Sequence, residues 1–96
     1  MSAEVKLVRA DQDTLRLEGR VDFSTAGFLY EAVKRERHSG FRCIDCRGIR
    51  NGDSATLSLL LACLRMTGDR KLHIDGLNEQ LLGLARLYGV EELLMK

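Results

Sequence analysis

The apolar residues of this chain change their spacing along its length, and that change limits the fold more than any single motif does. Val5, Leu7, Leu15 and Leu17 alternate with polar neighbours, the two-residue period of a strand with one buried face. Residues 10–13 between them have turn composition, so the pair reads as an antiparallel hairpin. The period then lengthens, with Phe28, Leu29, Ala32 and Val33 recurring at helical spacing. Ser24 or Thr25 offers an N-cap, and Gly40 closes the segment behind a basic last turn. This predicts a helix over residues 25–38. Residues 41–46 form a short apolar-rich strand, and residues 47–53 a loop leading into a second helix that ends near Thr67, before Gly68. Leu72 and Ile74 flank His73 in a last strand. After Gly76 a third helix covers residues 78–88, Gly89 stops it, and residues 90–95 form a short apolar tail. The order is ββαβαβα. A helical crossover returns the chain to the same end of the sheet, so the later strands are expected to pair in parallel.

Composition sets the scale. Ninety-six residues, 45% of them apolar, suffice for one core, so residues 1–96 are expected to form a single α/β domain. Proline is absent, and no repeat or low-complexity segment interrupts the pattern. Fifteen basic side chains nearly cancel fourteen acidic ones, leaving a formal net charge of +1 and no strong overall field to recruit nucleic acid or an anionic membrane. The longest apolar run, residues 59–64, falls far short of the roughly 20 residues that cross a bilayer. Residues 1–10 carry Glu4, Lys6 and Arg9 among their apolar side chains, unlike a secretory signal. The expectation is a cytoplasmic, unprocessed protein with no direct membrane insertion.

Catalytic constellations are scarce. Three cysteines, an odd number without an export signal, argue for free thiols. Cys43 and Cys46 have CxxC spacing, but on a strand residues three apart point to opposite faces and cannot converge on one metal. A redox pair should open a helix, whereas Arg47, Gly48 and Ile49 follow. His38 suits the negative end of the first helix, and His73 lies in a strand; neither has a second ligand at metal spacing. Glycines 40, 48, 52, 68 and 76 fall at joints rather than in a phosphate-binding loop. Glu91 and Glu92 fit a solvated face. The reading is a protein that is not an enzyme, with no cofactor and no metal.

The second helix is more informative. Turned at about 100° per residue, it places Thr56, Leu59, Leu60, Cys63 and Leu64 on one side, assigned to the sheet. Ser54, Ser58 and Arg65 line up opposite, bordered by Leu57, Leu61 and Ala62. A polar strip edged by leucines suits a protein partner, since it offers apolar area beside positioned hydroxyls. Periodicity fits equally well with the first or third helix covering those leucines.

Cys43-Ile44-Asp45, Asp53-Ser54 followed by Leu57 to Leu61, and Leu84-Ala85-Arg86-Leu87-Tyr88-Gly89-Val90 together resemble the STAS domain family, and within it the MlaB type. The resemblance covers almost the whole chain. It implies a small four-stranded mixed sheet with helices mainly on one face. It further implies a non-catalytic accessory subunit that binds the nucleotide-binding (ATPase) subunit of a phospholipid-transport ABC complex maintaining outer-membrane lipid asymmetry, peripheral at the cytoplasmic face of the inner membrane. The alternative within the family is an anti-sigma-factor antagonist switched by phosphorylation at Ser54, the family's functional position after the helix-capping Asp. The implied partner surface comprises Asp53, Ser54, Leu57, Ser58, Leu61 and Arg65. Where the family has glycine shortly after that serine, Ala55 and Thr56 stand here, which bears on how closely a partner or kinase approaches the backbone.

Overall fold

The computed structural model describes residues 5–50, 52–68 and 72–94; Glu4, with Asn51 of the loop and Met95 of the tail read above, lies outside them. Strands β1 (Val5–Arg9) and β2 (Thr14–Arg20) form the expected hairpin, followed by helix α1 (Phe23–Arg35) and a 3-10 turn at Arg37–Ser39. Then come β3 (Cys43–Arg50), α2 (Ser54–Thr67), β4 (His73–Asp75), α3 (Glu79–Leu87) and the short α4 (Glu91–Leu94). The sheet runs β1-β2-β3-β4, antiparallel in its first pair and parallel in the other two. This is the mixed α/β architecture that the order of elements implies.

Strand pleating divides the sheet into an apolar and a charged face. Leu15, Leu17, Ile44, Cys46 and Ile74 enter the core together with Leu29 and Val33 of α1 and Leu59, Leu60 and Cys63 of α2. Phe41, ahead of β3, is the largest fully buried side chain. The opposite face carries Lys6, Glu18, Arg16 and Asp45, which pair in a chain: Lys6 with Glu18, Glu18 with Arg16, Arg16 with Asp45. Asp45 is 3% exposed because two arginines cover it. Its Oδ1 accepts from the Arg47 backbone N–H at 2.9 Å and Arg47 Nε at 3.1 Å; its Oδ2 accepts from Arg47 Nη2 at 3.0 Å and Arg16 Nε at 3.2 Å.

Three boundaries differ from the sequence reading, each for a local reason. α1 starts at Phe23, not Thr25, because Asp22 is the cap: its carboxylate accepts from the Ser24 N–H, and Thr25 closes the box from inside the helix. The helix also stops at Arg35, and the expected last turn to His38 is the separate 3-10 turn ended by Gly40 at φ 74°. β3 continues to Arg50 through the segment read as a loop. After a register shift between Arg16 and Glu18, Gly48, Ile49 and Arg50 pair with Glu18, Gly19 and Arg20. Gly48 permits that approach, since a Cβ there would lie 2.9 Å from the Leu17 carbonyl oxygen. The apolar tail after Gly89 forms α4, whose Leu94 joins the core.

Arg47, foremost through its side-chain hydrogen bonds, holds the Asp45 carboxyl at about 2, below its usual 3.8. A carboxylate whose folded value is depressed stabilises the fold above its unfolded value, and that contribution fades as pH falls through the folded one. Asp45→Asn should therefore cost about 1–2 kcal/mol near neutrality, as loss of charge-assisted hydrogen bonds to partly solvated partners. In urea titrations the gap between the two proteins should narrow between pH 4 and pH 2; a constant gap would contradict this account.

Candidate interaction cleft on α2

The N-terminus of α2 is fixed from two sides. Asp53 caps it, Oδ1 accepting from the Ala55 N–H at 2.9 Å. Thr56, fully buried, accepts from the Asp53 N–H at 3.2 Å and donates to the Val21 carbonyl at 3.1 Å. The preceding Gly52 lies against Leu81 of α3, where any Cβ would collide with the leucine side chain. These contacts set the rotation of α2 about its axis. With Thr56 pointing in, residues two positions to either side, Ser54 and Ser58, point away from the core.

Ser54 is the first residue of the helix and half-buried; Ser58 is exposed. Among the described residues neither hydroxyl is engaged in a hydrogen bond. Both line a shallow cleft of about 240 Å³ together with Leu57, Leu61, Tyr88 and Val90. Tyr88 and Val90 come from the turn joining α3 to α4. There Gly89 takes φ 72°, and the Val90 N–H returns to the Ala85 carbonyl at 2.9 Å. Glu91 accepts from Arg86 Nε at 2.9 Å across the same turn. The opening is bordered by apolar surface, with Tyr88 56% and the adjacent Leu87 75% exposed.

The six residues singled out from the sequence divide unequally. Ser54, Leu57, Ser58 and Leu61 meet at the cleft. Leu57 is 3% exposed, however, and packs in the core, which corrects its assignment to an outward border: α3 and α4 lie beside α2 and cover it. Leu61 is half-buried and packs on the same core. Asp53 serves as the cap, its carboxylate turned to the backbone, and Arg65 is exposed farther along the helix, outside the cleft lining. Tyr88 and Val90 were not assigned to the surface from sequence, since they sit about thirty positions from α2 and only tertiary packing brings them there. Ala55 and Thr56, which follow Ser54, are both buried, so neither side chain obstructs the outer face.

Elsewhere the reactive groups are quiet. Cys43 donates its thiol to Asp75 Oδ2 at 3.3 Å on the charged face, while Cys46 lies in the core; all three cysteines are free thiols. Burial first of all raises their pKa values, Cys43 to about 11 and Cys46 and Cys63 to about 12, far from the thiolate needed for nucleophilic or metal chemistry. Among the described residues no group of histidines, cysteines and carboxylates is placed to hold a metal, and no helix is long and apolar enough to cross a membrane.

With this geometry in view, the family model described as Mlab, STAS domain, matches residues 6–95. The chain belongs to the STAS domain family. Two solved structures show the same fold. The anti-sigma factor antagonist SpoIIAA in its unphosphorylated form superposes with a TM-score of 0.73 at 12% identity, over 95% of this chain and 85% of that one. An anti-sigma factor antagonist from Mycobacterium paratuberculosis gives a TM-score of 0.75 at 17% identity, over 94% and 80%. No curated protein matches the sequence.

The cap and the cleft should separate experimentally. Thr56→Val leaves the Val21 carbonyl and Asp53 N–H without their partner and should cost about 1–3 kcal/mol in urea unfolding. Ser54→Ala and Ser58→Ala should stay within about 0.5 kcal/mol of the parent, because neither hydroxyl supports the fold.

Proposed function

We propose that this STAS domain is a non-catalytic accessory subunit that binds the nucleotide-binding subunit of a phospholipid-transport ABC complex, and that the α2 cleft is the contact. The observation that carries the reading is the pairing of two free hydroxyls, Ser54 and Ser58, with an exposed aromatic, Tyr88, across a cleft large enough for one or two side chains of a partner. Interfaces concentrate their energy in such aromatic anchors surrounded by small polar groups. The match to a family model named for MlaB favours an ABC partner. Peripheral attachment to the cytoplasmic face of the inner membrane follows from that partner.

A second reading has its own observation. Two solved structures of similar fold are anti-sigma factor antagonists, and here Ser54 presents a free hydroxyl at the N-terminus of α2. Phosphorylation there would add about two negative charges beside unpaired helix N–H groups and the Asp53 carboxylate, changing what the cleft accepts. Under that reading Ser54 is a switch, with a kinase as partner.

Co-purification with the nucleotide-binding subunit of a phospholipid-transport ABC complex, co-expressed with this chain and read alongside a melting curve, tests the proposal. Tyr88→Ala should weaken binding by about tenfold or more, as removal of a central aromatic does, and Ser58→Asp should abolish retention by placing a charge in a desolvated contact. Both positions are exposed, so melting should change little. Ser54→Ala should lose on the order of 1 kcal/mol. Full retention by Tyr88→Ala and Ser58→Asp would remove this surface from consideration. Capture of a kinase, with a phosphate-mass increase lost in Ser54→Ala, would favour the switch.

A further inference from the structure

The charges of this protein are distributed unevenly in a way that its net charge hides. On the open sheet face the cations have partners: Lys6 and Arg16 with Glu18, Arg16 and Arg47 with Asp45. At the far end of α1 the two arginines do not. Lys34, Arg35, Arg37 and His38 surround a cleft of about 290 Å³ formed between the last helical turn and the 3-10 turn. Glu36 lies within that segment, but Arg9 of β1 takes it, Nη2 to Oε1 at 2.7 Å. Lys34 shares its charge with Glu31 at 3.5 Å and rests over the Tyr30 ring. Among the described residues the side chains of Arg35, Arg37 and His38 have neither an ion pair nor a hydrogen bond.

Attraction to the negative end of the helix dipole explains cations in the last turn, Lys34 and Arg35, but fades within that turn. Arg37 lies beyond it and would otherwise only repel its basic neighbours. Like charges converging on one concavity are stabilised when an anion occupies it. Two guanidinium groups present planar, forked donors that match the oxygens of a phosphate, and Lys34 adds a point charge.

We propose that this cleft is a binding site for a phosphate group, carried either by a soluble phosphate compound or by a phospholipid headgroup. The site stands apart from the α2 cleft, and its test does not involve the ATPase subunit. Two arms separate the sources. Backbone amide NMR shifts are followed as inorganic phosphate replaces chloride at constant ionic strength. In parallel, the protein is sedimented with phosphatidylcholine vesicles with and without phosphatidylglycerol. The double variant Arg35→Gln/Arg37→Gln serves as comparison; both side chains are exposed and unpaired, so a melting curve should confirm an intact fold.

Phosphate shifts confined to residues 34–40 identify a soluble ligand. Sedimentation only with phosphatidylglycerol identifies a headgroup. In either case the double variant should bind at least about tenfold more weakly, the effect of losing charged hydrogen bonds. Absence of binding in both arms, binding that the double variant leaves intact, or shifts centred equally on Arg16 and Arg47 would overturn the proposal.

Discussion

Both long helices start from the same stub of chain at the end of β2. Thr25 of α1 donates to the Arg20 carbonyl at 3.1 Å, and Thr56 of α2 donates to the Val21 carbonyl at 3.1 Å. Each threonine also accepts the backbone N–H of its capping aspartate, Asp22 or Asp53. Adjacent carbonyls that end a central strand thus become the anchor points of two helices. The Val21 carbonyl is buried and would be costly without its partner, so the arrangement satisfies the strand end and fixes the helices in one step.

The α2 cleft inherits its geometry from that anchor. A helix held only by apolar contacts can rotate by some tens of degrees without losing much burial. A helix whose third residue is bonded to a neighbouring strand has much less of that freedom. Thr56 directs one side of α2 into the core, and the hydroxyls of Ser54 and Ser58 consequently face outward. The α3–α4 turn then supplies the other wall. Its position depends on Leu81 against Gly52 at one end and Leu94 in the core at the other. The walls of the cleft are therefore held in place by the core itself, so a partner proposed to dock there would meet a preformed surface.

What could be read from the sequence follows from how local each determinant is. Strand alternation and the inward side of α2 were legible because each depends on residues within a few positions of one another, and the parallel order follows from strands alternating with crossover helices. The Asp-x-x-Thr pattern at Asp22 and Asp53 is identical, yet Ser24 and Thr25 masked the first cap, since serine and threonine are themselves good caps. Arg47 to Arg50 read as a loop because its composition is charged and contains glycine. Pairing with Glu18 to Arg20 overrides that local preference, and the glycine proves necessary for strand proximity rather than for a turn. Leu57 and Tyr88 were the hardest, for one reason: the burial of the first and the placement of the second both depend on where α3 and α4 pack, and helical periodicity carries no record of neighbours.

The two sides of the sheet show why the helical layer is where recognition should be sought. On the open side every carboxylate of the Lys6–Glu18–Arg16–Asp45–Arg47 chain already accepts from a cation, and a partner docking there would have to desolvate pairs that gain nothing new. At the α2 cleft the free groups are of the opposite kind. Ser54 and Ser58 are neutral hydroxyls that cost little to desolvate when given one hydrogen bond, and Tyr88 offers apolar area already partly exposed. Desolvation therefore favours association through the α2 cleft over the sheet face, even though the sheet face carries the larger number of charges.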